Sequence, residues 1–166
     1  MGNTLNKGMS GIHSTKMIKD EWLTPPYILE ALGEFDLDPC APVNKPWDIA
    51  KNHFTIYDNG LMKSWSGRVW CNPPYGSETG KWLSKLAHHG NGIALIYART
   101  ETKMFFDHIW YKAIALFFLK GRITFYHSDG TPGKNNGGAP SVLIAYGANN
   151  RECLEDCGLE GKYISI

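Results

Sequence analysis

Apolar residues fall along this chain in short clusters of two kinds, and each kind predicts a different element. Near-continuous apolar runs at 93–97, 113–119 and 142–146 read as strands buried on both faces. Two shorter strands are expected at Phe35-Asp36-Leu37-Asp38, which alternates and stops at Pro39, and at Arg68-Val69-Trp70-Cys71, which stops at two prolines. A further one is expected at 122–126, after Gly121. Helical spacing appears in three places. The first runs from Pro25 to Gly33 with Thr24 as its cap, and the second from Ser77 to His89 with Trp82, Leu83, Leu86 and Ala87 on one face. The third is capped by Thr100 and runs through Trp110.

Residues 1–19 show no periodicity and read as an arm, residues 20–150 as one domain, and residues 151–166 as a tail. The stretches 41–60 and 127–140 are rich in Pro, Gly, Asn and Asp and read as long loops, which in small domains often carry function. Strands alternating with helices predict an α/β fold. The sheet is expected to be mainly parallel, with an antiparallel C-terminal edge because no helix separates the last strands. In such sheets ligands bind beyond the carboxyl ends of the strands, where Asp38 and Asn72 fall.

With 166 residues the chain makes a single domain. Its net charge of +1 hides a division: residues 20–60 carry eight acidic and two basic side chains, whereas residues 61–151 carry eleven basic and four acidic. An acidic half suits a cationic small molecule and a basic half suits a polyanion. The longest apolar run is too short to cross a membrane and the first ten residues are polar, so a cytoplasmic protein is expected. Cys40 and Cys71 read as buried free thiols. Cys153 and Cys157 have no second Cys or His pair, so no metal is expected. No Gly-x-Gly-x-x-Gly follows a strand, which disfavours a nicotinamide enzyme.

The strongest chemical signal is Asn72-Pro73-Pro74-Tyr75. Two prolines fix the backbone and remove two N–H donors, leaving carbonyls free to accept. Asn adds a side-chain carbonyl and Tyr a flat aromatic face. Together they describe a receptor for an amino group on a planar ring; the alternative is a proline-rich turn with a structural tyrosine.

This tetrapeptide at a strand end resembles that of the S-adenosylmethionine-dependent amino-group methyltransferases. The wider chain resembles one branch, the small phage-type DNA adenine-N6 methyltransferases of the Dam-like group. The matching pieces are Glu21-Trp22-Leu23-Thr24-Pro25, Phe35-Asp36-Leu37-Asp38-Pro39-Cys40-Ala41, Phe54-Thr55, Asp58-Asn59-Gly60-Leu61 and the stretch from Trp65 to Gly76. Ala98-Arg99-Thr100-Glu101-Thr102 and Gly121-Arg122-Ile123-Thr124-Phe125 also fit. The resemblance implies a Rossmann-like methyltransferase fold. It also implies an adenine flipped from double-stranded DNA onto Tyr75, with the Asn72 side-chain oxygen and the Pro73 carbonyl accepting the two N6 hydrogens. In this scheme Pro74 completes the catalytic segment, and catalysis is mostly positioning and electrostatics.

For the cofactor, S-adenosylmethionine, the resemblance points to Thr24-Pro25 at the methionine end. Asp38-Pro39-Cys40-Ala41 stands in the place of a glycine-rich motif, though it contains no glycine. Asp38 is a candidate acceptor for the cofactor ammonium and Asp58 for its ribose or adenine; alternatively, each serves a local turn. Arg99, Lys103 and Arg122 are the DNA-binding candidates, set against a solvated-surface role. The chain has no room for a large recognition domain. Base reading is therefore expected from the 127–140 loop or from a second subunit, in a homodimer. Cytosine N4, an RNA base or a protein glutamine amide would satisfy the same acceptors, and a non-catalytic nucleic-acid-binding module of the same fold is the reading from another class.

Overall fold

The computed structural model describes residues 21–166, and the arm read at 1–19 lies outside them. The strands are β1 (Leu37–Asp38), β2 (Asn52–His53), β3 (Val69–Cys71), β4 (Gly92–Tyr97), β5 (Ala115–Leu119), β6 (Ser141–Tyr146) and β7 (Gly161–Ser165). The helices are α1 (Pro26–Leu32), α2 (Thr79–His89), α3 (Lys103–Phe105) and α4 (Ala148–Asp156), with α3 running on as a π-helical turn over Phe106–Trp110.

One seven-stranded sheet has the order β2-β1-β3-β4-β6-β5-β7. Pairings among β2, β1, β3 and β4 are parallel, and the remaining three are antiparallel. The sheet is therefore mixed rather than mainly parallel. β6 returns directly after β5 with no crossover helix and inserts between β4 and β5, which makes both of its ladders antiparallel.

Alternation within the strands sorts the core into two layers. Val69, Cys71, Ala94 and Ile96 face α2 and the π-helical turn, while Trp70, Ile93 and Leu95 face α1 and α4. Each fully buried Leu or Ile contributes about 1.5–3 kcal/mol of apolar burial.

Several boundaries differ from the expectation, each for a local reason. Thr24 does not cap α1: Pro25 takes the cap position, with no side-chain bond, and the Thr24 hydroxyl accepts from Asn72 instead. Ser77 does not cap α2: Glu78 takes the cap position with no side-chain bond, and the Thr79 hydroxyl accepts from Gly76 N–H at 3.1 Å and donates to Pro74 O at 2.8 Å. Thr102, not Thr100, caps α3, by accepting from Phe105 N–H at 3.3 Å. Residues 122–126 have the expected burial alternation but form no ladder. Tyr126 makes only isolated bridges to Leu23 and Pro132.

The stretch read as a tail instead carries most of α4 and all of β7, which closes the sheet edge against β5. Arg68 explains the docking: its Nε donates to Asn150 Oδ1 at 2.7 Å and its Nη1 to Leu32 O at 2.8 Å. Asn150, fully buried, donates in turn to Tyr146 O and Asn91 Oδ1. A buried polar group with all its partners supplied anchors a segment whose own apolar content is small.

Candidate active site

The carboxyl ends of β1, β3 and β4 open onto one side of the sheet, and each supplies a wall of the same site. β3 runs straight into Asn72-Pro73-Pro74-Tyr75. Gly76, at φ 141°, then turns the chain toward α2, a conformation that L side chains rarely adopt.

Cavities open along both sides of this segment. The first, about 460 Å³, is lined by Trp22, Asn72, Tyr75, Tyr97, Phe125 and His127 and by residues 134–138. The second, about 640 Å³, is lined by Pro39, Cys40, Ala41, the 55–60 loop, Pro74 and Trp82. A small cavity of about 110 Å³ shares Trp22, Asn72 and Tyr75 with the first and Cys40, Ala41, Ile56 and Pro74 with the second. The tetrapeptide is the partition between two ligand-sized spaces.

Asn72 is oriented by its neighbour. Its Nδ2 donates to Thr24 Oγ1 at 3.3 Å, which leaves Oδ1 as the free end of the amide. Tyr75 stacks on Tyr97 with ring centroids 4.3 Å apart and planes 7° from parallel. Cys40 Sγ reaches Asn72 O at 3.4 Å and lies 4.0 Å from Cys71 Sγ, so the β1 end is tied to the motif. The contact with the Cys71 thiol, then burial, push the Cys40 thiol well above its usual pKa and keep it protonated.

The two acidic candidates serve turns. Asp38 is buried, accepts from Cys40 N–H at 3.1 Å, and lines none of the three cavities. Burial, only partly offset by that bond, raises its pKa to about 7. Asp58 Oδ2 accepts from the N–H and the hydroxyl of Thr55 at 2.8 and 3.0 Å, contacts that hold its pKa below the usual carboxylate range. It thereby shapes the loop that walls the second cavity. Gly60 in this loop lies against Pro39: a Cβ at that position would sit 2.0 Å from Pro39 O.

The basic candidates scatter. Arg99 is exposed and shares a side cavity with Tyr75 and Tyr97. Lys103 pairs with Asp107, one turn along. Arg122 donates to Gly137 O at 3.3 Å and so braces the loop over the first cavity. Trp22, Tyr97, Phe125 and His127 complete that cavity, although the sequence pattern does not single them out. Tyr97 could have been found as an aromatic residue at a strand's carboxyl end.

A family model described as DNA N-6-adenine-methyltransferase (Dam) matches residues 11–154. The chain belongs to the Dam family. The match spans every wall of the three cavities and the strands that carry them. Neither the curated proteins nor the solved structures contain a match. The Dam description names a methyltransferase of DNA adenine. No helix among the described residues is long and apolar enough to cross a membrane, and no three of their His, Cys, Asp or Glu side chains converge on a metal position.

Proposed function

We propose that this chain transfers a methyl group from S-adenosylmethionine to the N6 amino group of an adenine flipped out of double-stranded DNA. The observation that carries the reading is the position of Asn72-Pro73-Pro74-Tyr75 between the two cavities, with Asn72 Oδ1 left free by Thr24.

The residues present fit the cofactor. The second cavity offers Tyr57 and Trp82 as aromatic walls and the small residues Pro39-Cys40-Ala41 as a third side. The small cavity adds the Glu21 carboxylate, whose Oε2 is buried without a partner among the described residues. When bound, S-adenosylmethionine supplies an electrophilic methyl on a positively charged sulfur.

The chain's own part is positioning and electrostatics. Asn72 Oδ1 and the Pro73 carbonyl accept the two N6 hydrogens, which favours a pyramidal nitrogen with its lone pair drawn out of the ring. Tyr75, backed by Tyr97, supplies the stacking face for the flipped base. Trp22, Phe125 and His127 close the first cavity around it. Asp38 shapes the Pro39-Cys40-Ala41 wall through Cys40 N–H, and Asp58 shapes the 55–60 loop. Lys134 at the first cavity and Arg99 at its neighbour would meet DNA phosphates, and Lys103 and Arg122 are further candidates for phosphate contacts.

The test is to incubate the protein with unmethylated DNA and methyl-labelled S-adenosylmethionine, digest to nucleosides and identify the labelled one. Label in N6-methyladenine is expected; label in another nucleoside, or none, overturns the substrate assignment.

A further inference from the structure

Glu21 is a half-buried residue whose carboxylate is left half-satisfied by the described residues. Its Oε1 accepts from Val43 N–H at 3.1 Å, whereas Oε2 is shielded from solvent and has no hydrogen-bond partner among the described residues. The other buried side-chain atoms in that condition are Trp47 Nε1, Trp70 Nε1 and Ser141 Oγ. All three are neutral, and none lines the three cavities. Glu21 does: it faces the small cavity together with Trp22, Cys40, Asn72, Pro73 and Tyr75. Among the described residues, no lysine or arginine lines that space. A shielded carboxylate oxygen without a donor costs free energy, which a cationic ligand would recover on binding.

We propose that the Glu21 carboxylate is the charge partner of the sulfonium at the methyl-transfer junction, so that the site tells the methylated cofactor from its neutral thioether product. The inference rests on the methyltransferase reading above. Its geometric argument is the company Glu21 keeps. The small cavity also contains Asn72 and Pro73, the acceptors assigned to the N6 amine. Reacting atoms come within about 3–3.5 Å of each other before transfer. The cation nearest this cavity is therefore the sulfonium, rather than the ammonium several bonds away at the cofactor's methionine end. On transfer the S–CH3 bond breaks and an N–CH3 bond forms. The sulfur keeps the electron pair as a neutral thioether, and the N6 proton leaves to solvent. Glu21 then loses its partner, which favours release of the spent cofactor.

Calorimetry with S-adenosylmethionine and S-adenosylhomocysteine on wild type, Glu21→Gln and Glu21→Asp tests this. Glutamine keeps an acceptor for Val43 N–H and the side chain's shape while removing the charge. In Glu21→Gln the affinity for S-adenosylmethionine should fall roughly tenfold or more while that for S-adenosylhomocysteine stays within about twofold. Retained thioether binding also reports a folded site. Glu21→Asp, which keeps the charge, should preserve the wild-type ratio of the two affinities. Equal loss of both ligands in Glu21→Gln, loss of neither, or the same change of ratio in Glu21→Asp overturns the proposal while leaving the methyltransferase reading intact. A wild-type protein that binds neither ligand overturns both.

Discussion

The Asn72 side-chain nitrogen donates to the buried Thr24 hydroxyl at 3.3 Å, and this contact decides which end of the amide is presented to a substrate. An amide rotated by half a turn would offer a donor where an amino group needs an acceptor. Thr24→Val keeps the shape and removes the partner. It should lower kcat roughly 3- to 10-fold, the worth of one net hydrogen bond, with cofactor affinity within about twofold. Thr24→Ser should restore most of the rate. A change in cofactor KM alone, with kcat unchanged, would assign Thr24 to the cofactor instead.

Tyr75 and Tyr97 form a nearly parallel pair that lines the first cavity, where the proposed function seats the flipped base. Base stacking on an aromatic ring contributes about 1–3 kcal/mol. Tyr75→Ala should therefore weaken productive DNA binding between roughly 5- and 150-fold, while Tyr75→Phe, which keeps the ring, should stay within a few-fold. Steady-state kinetics in DNA concentration checks this, and an unimpaired Tyr75→Ala protein would exclude a stacking role.

Gly60 lies where a Cβ would strike Pro39 O at 2.0 Å. Gly60→Ala must push the 55–60 loop away from the Pro39-Cys40 turn and deform the larger cavity. The expected result is a stability loss of about 1–3 kcal/mol together with a cofactor affinity at least about tenfold weaker, read by thermal melts and calorimetry. Lys85 holds the same loop by donating to Leu61 O at 2.7 Å, so Lys85→Met should move cofactor affinity in the same direction.

Burial raises the Asp38 pKa from 3.8 to about 7. Between those values the folded chain keeps a proton that the unfolded chain has released, so this group makes stability fall as pH rises. Below pH 4 both states are protonated, and above about pH 7 the full cost, at most about 4 kcal/mol, is in place. Asp38→Asn keeps an acceptor for Cys40 N–H. It should flatten the decline in Tm between pH 4 and 7 and melt higher than wild type at pH 8. An unchanged pH profile would contradict the assignment.

Much of the site could be read from residue order, because its central piece is local. Two prolines after a three-residue strand set the backbone that carries Asn72 and Tyr75, and Thr24 and Tyr97 then complete the placing of their side chains. The cavity walls were not legible in the same way. Trp22, Phe125 and His127 reach the site through the bridge between Leu23 and Tyr126, a contact across a hundred residues that no periodicity announces. The same holds for Thr24, whose sequence context suits a helix cap and whose hydroxyl is drawn instead to Asn72. The C-terminal segment misled for a different reason. Its strand Gly161–Ser165 is mostly exposed, so it lacks the apolar run that marks β4 and β6. The β5 ladder, the Arg68–Asn150 contact and the buried Leu154 show that it belongs to the fold.

Single-turnover methyl transfer to unmethylated DNA, with wild type and Asn72→Ala side by side and cofactor affinity measured on both, tests the central claim most directly. Removing the Asn72 oxygen should reduce the chemical step at least about 100-fold, the scale on which losing one preorganised hydrogen-bonding group at a reacting centre is felt. S-adenosylmethionine affinity should stay within about twofold. An Asn72→Ala protein that methylates at the wild-type rate would show that the partition between the two cavities is not where transfer occurs.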